Sequence, residues 1–388
     1  MNDYVLGMIM KDREDNPIMI ASKRRNTLSL SDDFGIIEYQ RSIGQETIYY
    51  YNYVGSCVEM PNRDIWLFWG HDSEGDTAGD IYRKISRDGG KNWGNSSIFA
   101  HVSGHRLWQP YTFREKSTAY VFWTDTVDST YRNNIIKYEK TTDSGSSWEG
   151  PYTTYQNDGC VAAGMEIIKH RSLYLMSVYY QDVVTPRHFK SYVVRSTSLE
   201  SRWTKGADVN VTASGEGAKE PSICVLSDDR IMMDIRVDVA SGHRYKAYSS
   251  DDGASWITPT ETDVDSPDAM GRIFRCSDGG LVRLWSNCSS PNQSHRYPYA
   301  IAYSKDDFAT QKTINIVTET ASNQLSNMGN LCQLVNGKII VGHNHYEGST
   351  PDKLDLIIID YEKLKNIFSV QRRLTRALGR LLFKAHKN

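Results

Sequence analysis

No two of the six cysteines stand at metal-ligand spacing: Cys57, Cys160, Cys224, Cys276, Cys288 and Cys332 are scattered singly through 388 residues. Without a CxxC or clustered His/Cys pattern, neither a zinc module nor a disulfide scaffold is expected, and the thiols read as reduced and mostly buried. No run reaches the roughly 18 consecutive apolar residues of a membrane-spanning helix. The opening MNDYVLGMIMKDREDN has an acid at position 3 and only a short apolar stretch, so it lacks the basic n-region and long h-region of a signal peptide. A reducing, cytoplasmic location is the resulting expectation. Basic excess is missing too: Lys and Arg number 45 against 47 Asp and Glu, a net charge of −2, which argues against a nucleic-acid partner. Neither GxGxxG nor a P-loop occurs, so no nucleotide or redox cofactor is expected, and no metal is required.

What the chain does have is aromatic, strand-favouring composition and a repeat. Aromatics make up 11%, including 24 Tyr and 9 Trp, and hydrophobic residues 39%. Three segments read [ST]xDxGxxW: Ser86–Trp93, Thr141–Trp148 and Ser249–Trp256. Weaker copies begin at Ser31, Ser196 and Ser304. The leading residues fall at 31, 86, 141, 196, 249 and 304, so the chain repeats every 53 to 55 residues. Such a segment makes a hairpin turn: the Asp carboxylate accepts backbone N–H bonds, Gly supplies a positive φ, and Trp folds back between neighbouring sheets. These residues are therefore structural.

Around each turn the same strand order recurs, as in Val54–Met60, Ile65–Gly70, Asp80–Ser86 and a strand after Trp93. The expected fold is all-β, a β-propeller of four-stranded antiparallel blades spanning residues 1–360. Counting the third strand of each unit favours seven blades, with six plus an N-terminal addition as the alternative. The last segment, 361–388, interleaves Leu364, Phe368, Leu374, Leu378, Leu381 and Leu382 with Lys and Arg. It reads as a basic amphipathic helix, either attached to an anionic membrane surface or partner, or packed on the propeller with a solvated basic face.

Asp boxes at this rhythm resemble those of the sialidase superfamily, over about residues 50–345. Asp76–Trp93 is similar to the stretch running from the acid/base Asp loop into a box. Glu220–Arg236 resembles the Glu-bearing strand followed sixteen residues later by arginine, and His295–Ser304 the strand carrying another arginine. The resemblance implies Glu220 and Asp76 as catalytic carboxylates, with Asp80 as the other candidate for the loop acid. Arg236 and Arg296 would then bind a substrate carboxylate. The chain departs from the family pattern at Tyr53-Val54-Gly55, where an Arg-Ile-Pro motif belongs, and at Asn327-Met328-Gly329-Asn330, where the nucleophilic Tyr belongs.

Each residue has a plainer reading from its own chemistry. Arg236 ends an apolar strand and needs either a ligand anion or an ion pair with Asp234 or Glu220. Arg296 follows a polar loop and could simply be exposed. Glu220 could cap the turn it begins, and Asp76 and Asp80 could belong to a solvated acidic loop. Tyr297, Tyr299, Tyr346, His71, His105, His343 and His345 are substitutes for the displaced nucleophile, with Tyr297 also a substrate contact. Paired arginines suit a carboxylate, so the expected partner is an acidic glycan built of sialic, related nonulosonic or uronic acids. Three functions remain: a sialidase-like hydrolase, a membrane-associated glycan-assembly transferase, or a non-catalytic carbohydrate-binding propeller.

Overall fold

The computed structural model describes residues 52–72, 79–127, 134–156, 160–183, 186–238, 241–288, 296, 298–317, 328–347 and 350–366, with the strands Met8–Lys11, Pro17–Ile20, Thr27–Leu28 and Ile37–Gly44. Almost every element is a strand, and the strands follow one another as antiparallel meanders. Unit 1 comprises Asn52–Glu59, Ile65–Asp72, Gly79–Ser86 and Ser97–Ala100. Unit 2 comprises Arg106–Glu115, Thr118–Thr126, Asn134–Thr141 and Glu149–Gln156. Unit 3 is Cys160–His170, Leu173–Val183, His188–Ser196 and Thr204–Lys205. Unit 4 is Lys219–Val225, Ile231–Arg236, His243–Ser249 and Thr260–Asp265. Unit 5 is Gly271–Arg275, Leu281–Ser286, Tyr299–Ser304 and Lys312–Val317. Unit 6 is Met328–Gln333, Ile339–Glu347 and Thr350–Ile359.

Unit 6 takes its fourth strand from the N-terminus. Ile37–Gly44 runs antiparallel to Thr350–Ile359, with Arg41 opposite Leu356 and Tyr39 opposite Ile358. The first strand of each unit packs against that of the next, and the sixth against the first, so the inner strands close a ring. The arrangement is propeller-like. Among the described residues it holds six four-stranded units, not the seven favoured from the sequence. The strands expected before the Ser31 copy, Tyr4–Met10 and Pro17–Ala21, correspond to a separate hairpin of Met8–Lys11 with Pro17–Ile20, while Thr27–Leu28 pairs with Lys312–Val317 and Ile37–Gly44 completes unit 6.

Burial follows position in the unit. Second strands are sandwiched on both faces and read as continuous apolar runs, so Leu281–Ser286 is buried throughout. Among third strands Asn134–Thr141 alternates whereas Tyr299–Ser304 is buried throughout, and the outer strand Glu149–Gln156 is largely exposed. Apolar clusters lie between adjacent units rather than within one sheet, for example Tyr120, Phe122 and Ile136 of unit 2 against Met176, Val178 and Tyr192 of unit 3.

The repeated turns join third to fourth strands as expected. Ser249 Oγ donates to Asp251 Oδ1 at 2.8 Å and accepts from Gly253 N at 2.9 Å, while Asp251 Oδ1 accepts from Ser255 N at 2.9 Å. The same triplet recurs at Ser86–Asn92, Thr141–Ser147 and Ser304–Thr310. Each Trp leans on the preceding unit: Trp148 packs against Trp66, Phe68 and Phe99 of unit 1. The copy at Ser31 lies outside the described residues. Beyond the propeller, residues 361–366 form a short helix whose Tyr361 and Leu364 join the core between units 5 and 6. The basic helix expected over 361–388 lies outside the described residues from 367 onward.

Candidate active site

At one end of the ring the first and third strands start and the second strands finish. Polar residues from different units meet there because alternation points every other side chain of a first strand inward. In unit 4 the register sets Lys219 opposite Arg236, and a bulge follows between Lys219 and Ser222. Glu220 sits in that bulge with φ of 41°, a left-handed conformation that costs a non-glycine residue energy and that clusters at functional sites. Gln109 of unit 2 does the same, with φ of 48°. Both precede proline, as Gln109-Pro110 and Glu220-Pro221.

Glu220 and Arg236 are brought together, as the sequence proposed, and they neutralise one another. Arg236 Nη1 donates to Glu220 Oε2 at 2.5 Å and its Nε donates to Asp268 Oδ1 at 2.7 Å. Lys219 Nζ lies 2.8 Å from the same Asp268 oxygen and also reaches Glu216. Burial works against the charge on Arg236, but Glu220 and Asp268 outweigh it and push its pKa up. Burial likewise opposes ionisation of Asp268, and Arg236 with Lys219 reverses this to hold its carboxyl below the usual range. Of the two ion-pair partners considered for Arg236, Glu220 is the one found. Asp234 is engaged by Arg244 Nε at 2.8 Å and lies 3.7 Å from Arg283 Nη2.

A second carboxyl group, Glu166, comes from the first strand of unit 3. It is 7% exposed, and Ser222 Oγ donates to its Oε2 at 2.8 Å. Burial pushes its pKa up to about 8, with Arg272 and the Ser222 hydroxyl only partly opposing the shift. Arg272 of unit 5 is buried, and burial lowers its pKa against the pull of Glu166, Tyr111 and Glu220. Tyr111 is held well above the normal phenol range by burial and then by Glu166; burial does the same to Tyr299, against Arg272. Glu166, Ser222 and Arg272 thus form one buried polar layer across units 3, 4 and 5.

Asp80 starts the third strand of unit 1 and binds His101, Oδ1 to Nδ1, at 2.7 Å. Asp76 and Tyr297 lie outside the described residues. Arg296 is buried rather than exposed, 8% accessible, just before the third strand of unit 5. His105 Nδ1 lies 2.7 Å from the fully buried Asp125, which also meets Lys137 at 2.6 Å. His343 and His345 lie on the second strand of unit 6. Among the described residues no three His, Cys, Asp or Glu side chains gather as a metal-binding group.

Sequence reasoning missed Glu166, Arg272, Asp268 and Gln109. Glu166 carried a signal, an acid inside the apolar Met165-Glu-Ile-Ile168, 56 residues before its partner Ser222. Gln109-Pro110 repeats Glu220-Pro221 two units earlier. Together these groups offer a carboxyl held protonated, a carboxylate held against a guanidinium, and buried arginines. Those are parts for moving a proton while stabilising charge.

The fold and this arrangement can be set beside known proteins. No curated protein matches the sequence. Among solved structures the chain is similar to the Hadza microbial sialidase Hz136, with a TM-score of 0.60 and 13% identity, covering 80% of this chain and 65% of that one. It is similar to the Trypanosoma rangeli sialidase, with a TM-score of 0.63 and 12% identity over 95% of this chain and 60% of that one. The GH93 α-L-arabinofuranosidase of Fusarium graminearum has a TM-score of 0.62 and 14% identity, over 84% of this chain and 98% of that one. The chain therefore spans less than two thirds of both sialidases and nearly all of the arabinofuranosidase, and at these identities what is shared is the propeller fold. The BNR repeat-like domain matches residues 65–345. That stretch runs from the second strand of unit 1 into unit 6, and the chain belongs to the BNR repeat-like family.

Proposed function

We propose that the chain is a glycoside hydrolase acting on an acidic, carboxylate-bearing glycan at the end of the ring where Glu220 and Arg236 meet. The observation that carries this reading is the contrast between two carboxyl groups on neighbouring first strands. Glu166 is buried and holds its proton to about pH 8, while Glu220 is paired with Arg236. Glycoside hydrolysis needs this division, one carboxylic acid to protonate the departing oxygen and one carboxylate to act as base or nucleophile. Arg236 serves to hold Glu220 in place, and the buried Arg272 and Arg296 of unit 5 are the guanidinium groups assigned to the substrate carboxylate. Structural neighbours described as sialidases and as an α-L-arabinofuranosidase support glycan chemistry in general.

The test is release of chromophore from aryl sialosides, glucuronides and galacturonides, with aryl α-L-arabinofuranosides as the neutral comparison. The expected outcome is turnover of an acidic glycoside, falling by about 100-fold or more in Glu220→Gln and in Glu166→Gln. Turnover of the neutral glycoside alone would remove the acidic substrate class. Transfer requiring an activated sugar donor would replace hydrolysis by glycan assembly, and tight binding with no turnover would leave a carbohydrate-binding propeller.

A further inference from the structure

At the opposite end of the ring, where the first strands finish, units 1, 2, 3 and 6 line an open cavity of about 250 Å³. Its wall includes Cys57 of unit 1 and Cys332 of unit 6, together with Glu59, Arg114 and Gln333. Both cysteines are free thiols, and Cys332 packs against the apolar cluster that contains Cys57. Their strands, Asn52–Glu59 and Met328–Gln333, lie side by side, and both cysteines face the same cavity. This is the seam at which the last unit meets the first. The two cysteines are 275 positions apart in sequence and meet in the wall of one cavity. Their exposure differs: Cys57 is 6% accessible, whereas Cys332 is half-buried on the cavity side.

We propose that Cys57 and Cys332 are a disulfide-forming pair that locks the closing seam of the propeller when a small-molecule disulfide enters the cavity. Cys332, the more accessible sulfur, attacks as thiolate on one sulfur of the small disulfide and expels one small thiolate. This leaves a mixed disulfide on Cys332. Cys57 then attacks the Cys332 sulfur and expels the second small thiolate. One S–S bond is broken and one formed, the protein loses two electrons and two protons, and the reagent gains them as two thiols. Burial and the neighbouring Cys332 raise the Cys57 pKa, so the second step is the slow one, and its rate rises about tenfold per pH unit while Cys57 is mostly protonated. None of this depends on what the opposite end of the ring catalyses.

The experiment incubates the reduced full chain with glutathione disulfide at several pH values, traps remaining thiols by alkylation, and maps peptides without reduction. The expected result is one cross-linked peptide joining Cys57 to Cys332, an intact mass lower by two hydrogens, and Cys224 and Cys276 still alkylated after unfolding. Cys57→Ser should stop at a glutathione adduct on Cys332, and Cys332→Ser should form neither species. Oxidation should raise the midpoint of thermal unfolding in the natural chain and leave both variants unmoved. A natural chain that halts at the Cys332 adduct, reacts at neither cysteine, or joins either to another thiol would overturn the proposal.

Discussion

Glu166 and Glu220 stand on neighbouring first strands, yet their surroundings treat them as different reagents. Burial dominates at Glu166 and favours the neutral acid; at Glu220 the guanidinium of Arg236 sits 2.5 Å away. The first has a consequence for stability whose sign is fixed. An unfolded Glu ionises near 4.5 and the folded one at about 8, so between these values the unfolded chain has lost a proton that the fold retains. Stability therefore falls as pH rises through that window, by up to about 1.4 kcal/mol per pH unit. Glu166→Gln should flatten this slope, which unfolding midpoints measured from pH 4.5 to 8.5 would reveal; an unchanged slope would show that Glu166 ionises normally. At this scale the sequence was informative where a residue stood against its local pattern, as Arg236 did at the end of Ile-Met-Met-Asp-Ile. It was silent on Asp268, an acid in a loop, because only the docking of the segment before unit 5 against unit 4 makes it a partner of Arg236 and Lys219.

Turns and strands were the most legible elements, since their rules are local. The Ser/Thr, Asp and Gly of each copy satisfy one another within seven residues, so no knowledge of the rest of the molecule is needed to read them. Phe308 shows how far the geometry tolerates drift: it occupies the glycine position at φ of 61° and still donates its N–H to Ser304. Asp88, Asp143 and Asp251 are all held below the ordinary carboxylate range, Asp143 at about 2. A depressed carboxylate stabilises the fold above its unfolded pKa, and that contribution is lost as pH falls through the folded value. Acid unfolding should therefore set in below about pH 4, progressing toward pH 2. Asp251→Ala removes acceptors for Ser249 Oγ, Ser255 N and Ser255 Oγ and is expected to cost about 1–2 kcal/mol in urea unfolding at neutral pH. Loss of under a few tenths would mean that water replaces those bonds at no penalty.

For the whole molecule, the miscounted blade comes from closure, which is not a local property. Tyr4–Met10 and Pro17–Ala21 look like a unit because they precede a copy of the repeated turn, but Met8–Lys11 and Pro17–Ile20 pair as a hairpin, and the N-terminal strand that enters the ring is Ile37–Gly44, paired with Thr350–Ile359. The same strand ties the ends of the chain together. Deleting residues 1–50 would strip the outer edge from a strand whose Leu356, Ile357, Ile358 and Ile359 are buried. The truncated chain is expected to lose its single cooperative unfolding transition and to associate through the bared edge. A truncated chain that stays monomeric and unfolds in one step at the natural midpoint would show that closure is dispensable.

That pairing also orders events on the ribosome. The strand that finishes the ring, Ile37–Gly44, emerges more than 300 residues ahead of its partner Thr350–Ile359. At the usual pace of translation the early strand waits roughly 15–60 s with its backbone donors and acceptors unmatched. Throughout that interval the nascent chain carries an open edge able to join another copy, so newly made protein, rather than the finished ring, is the species that depends on chaperones.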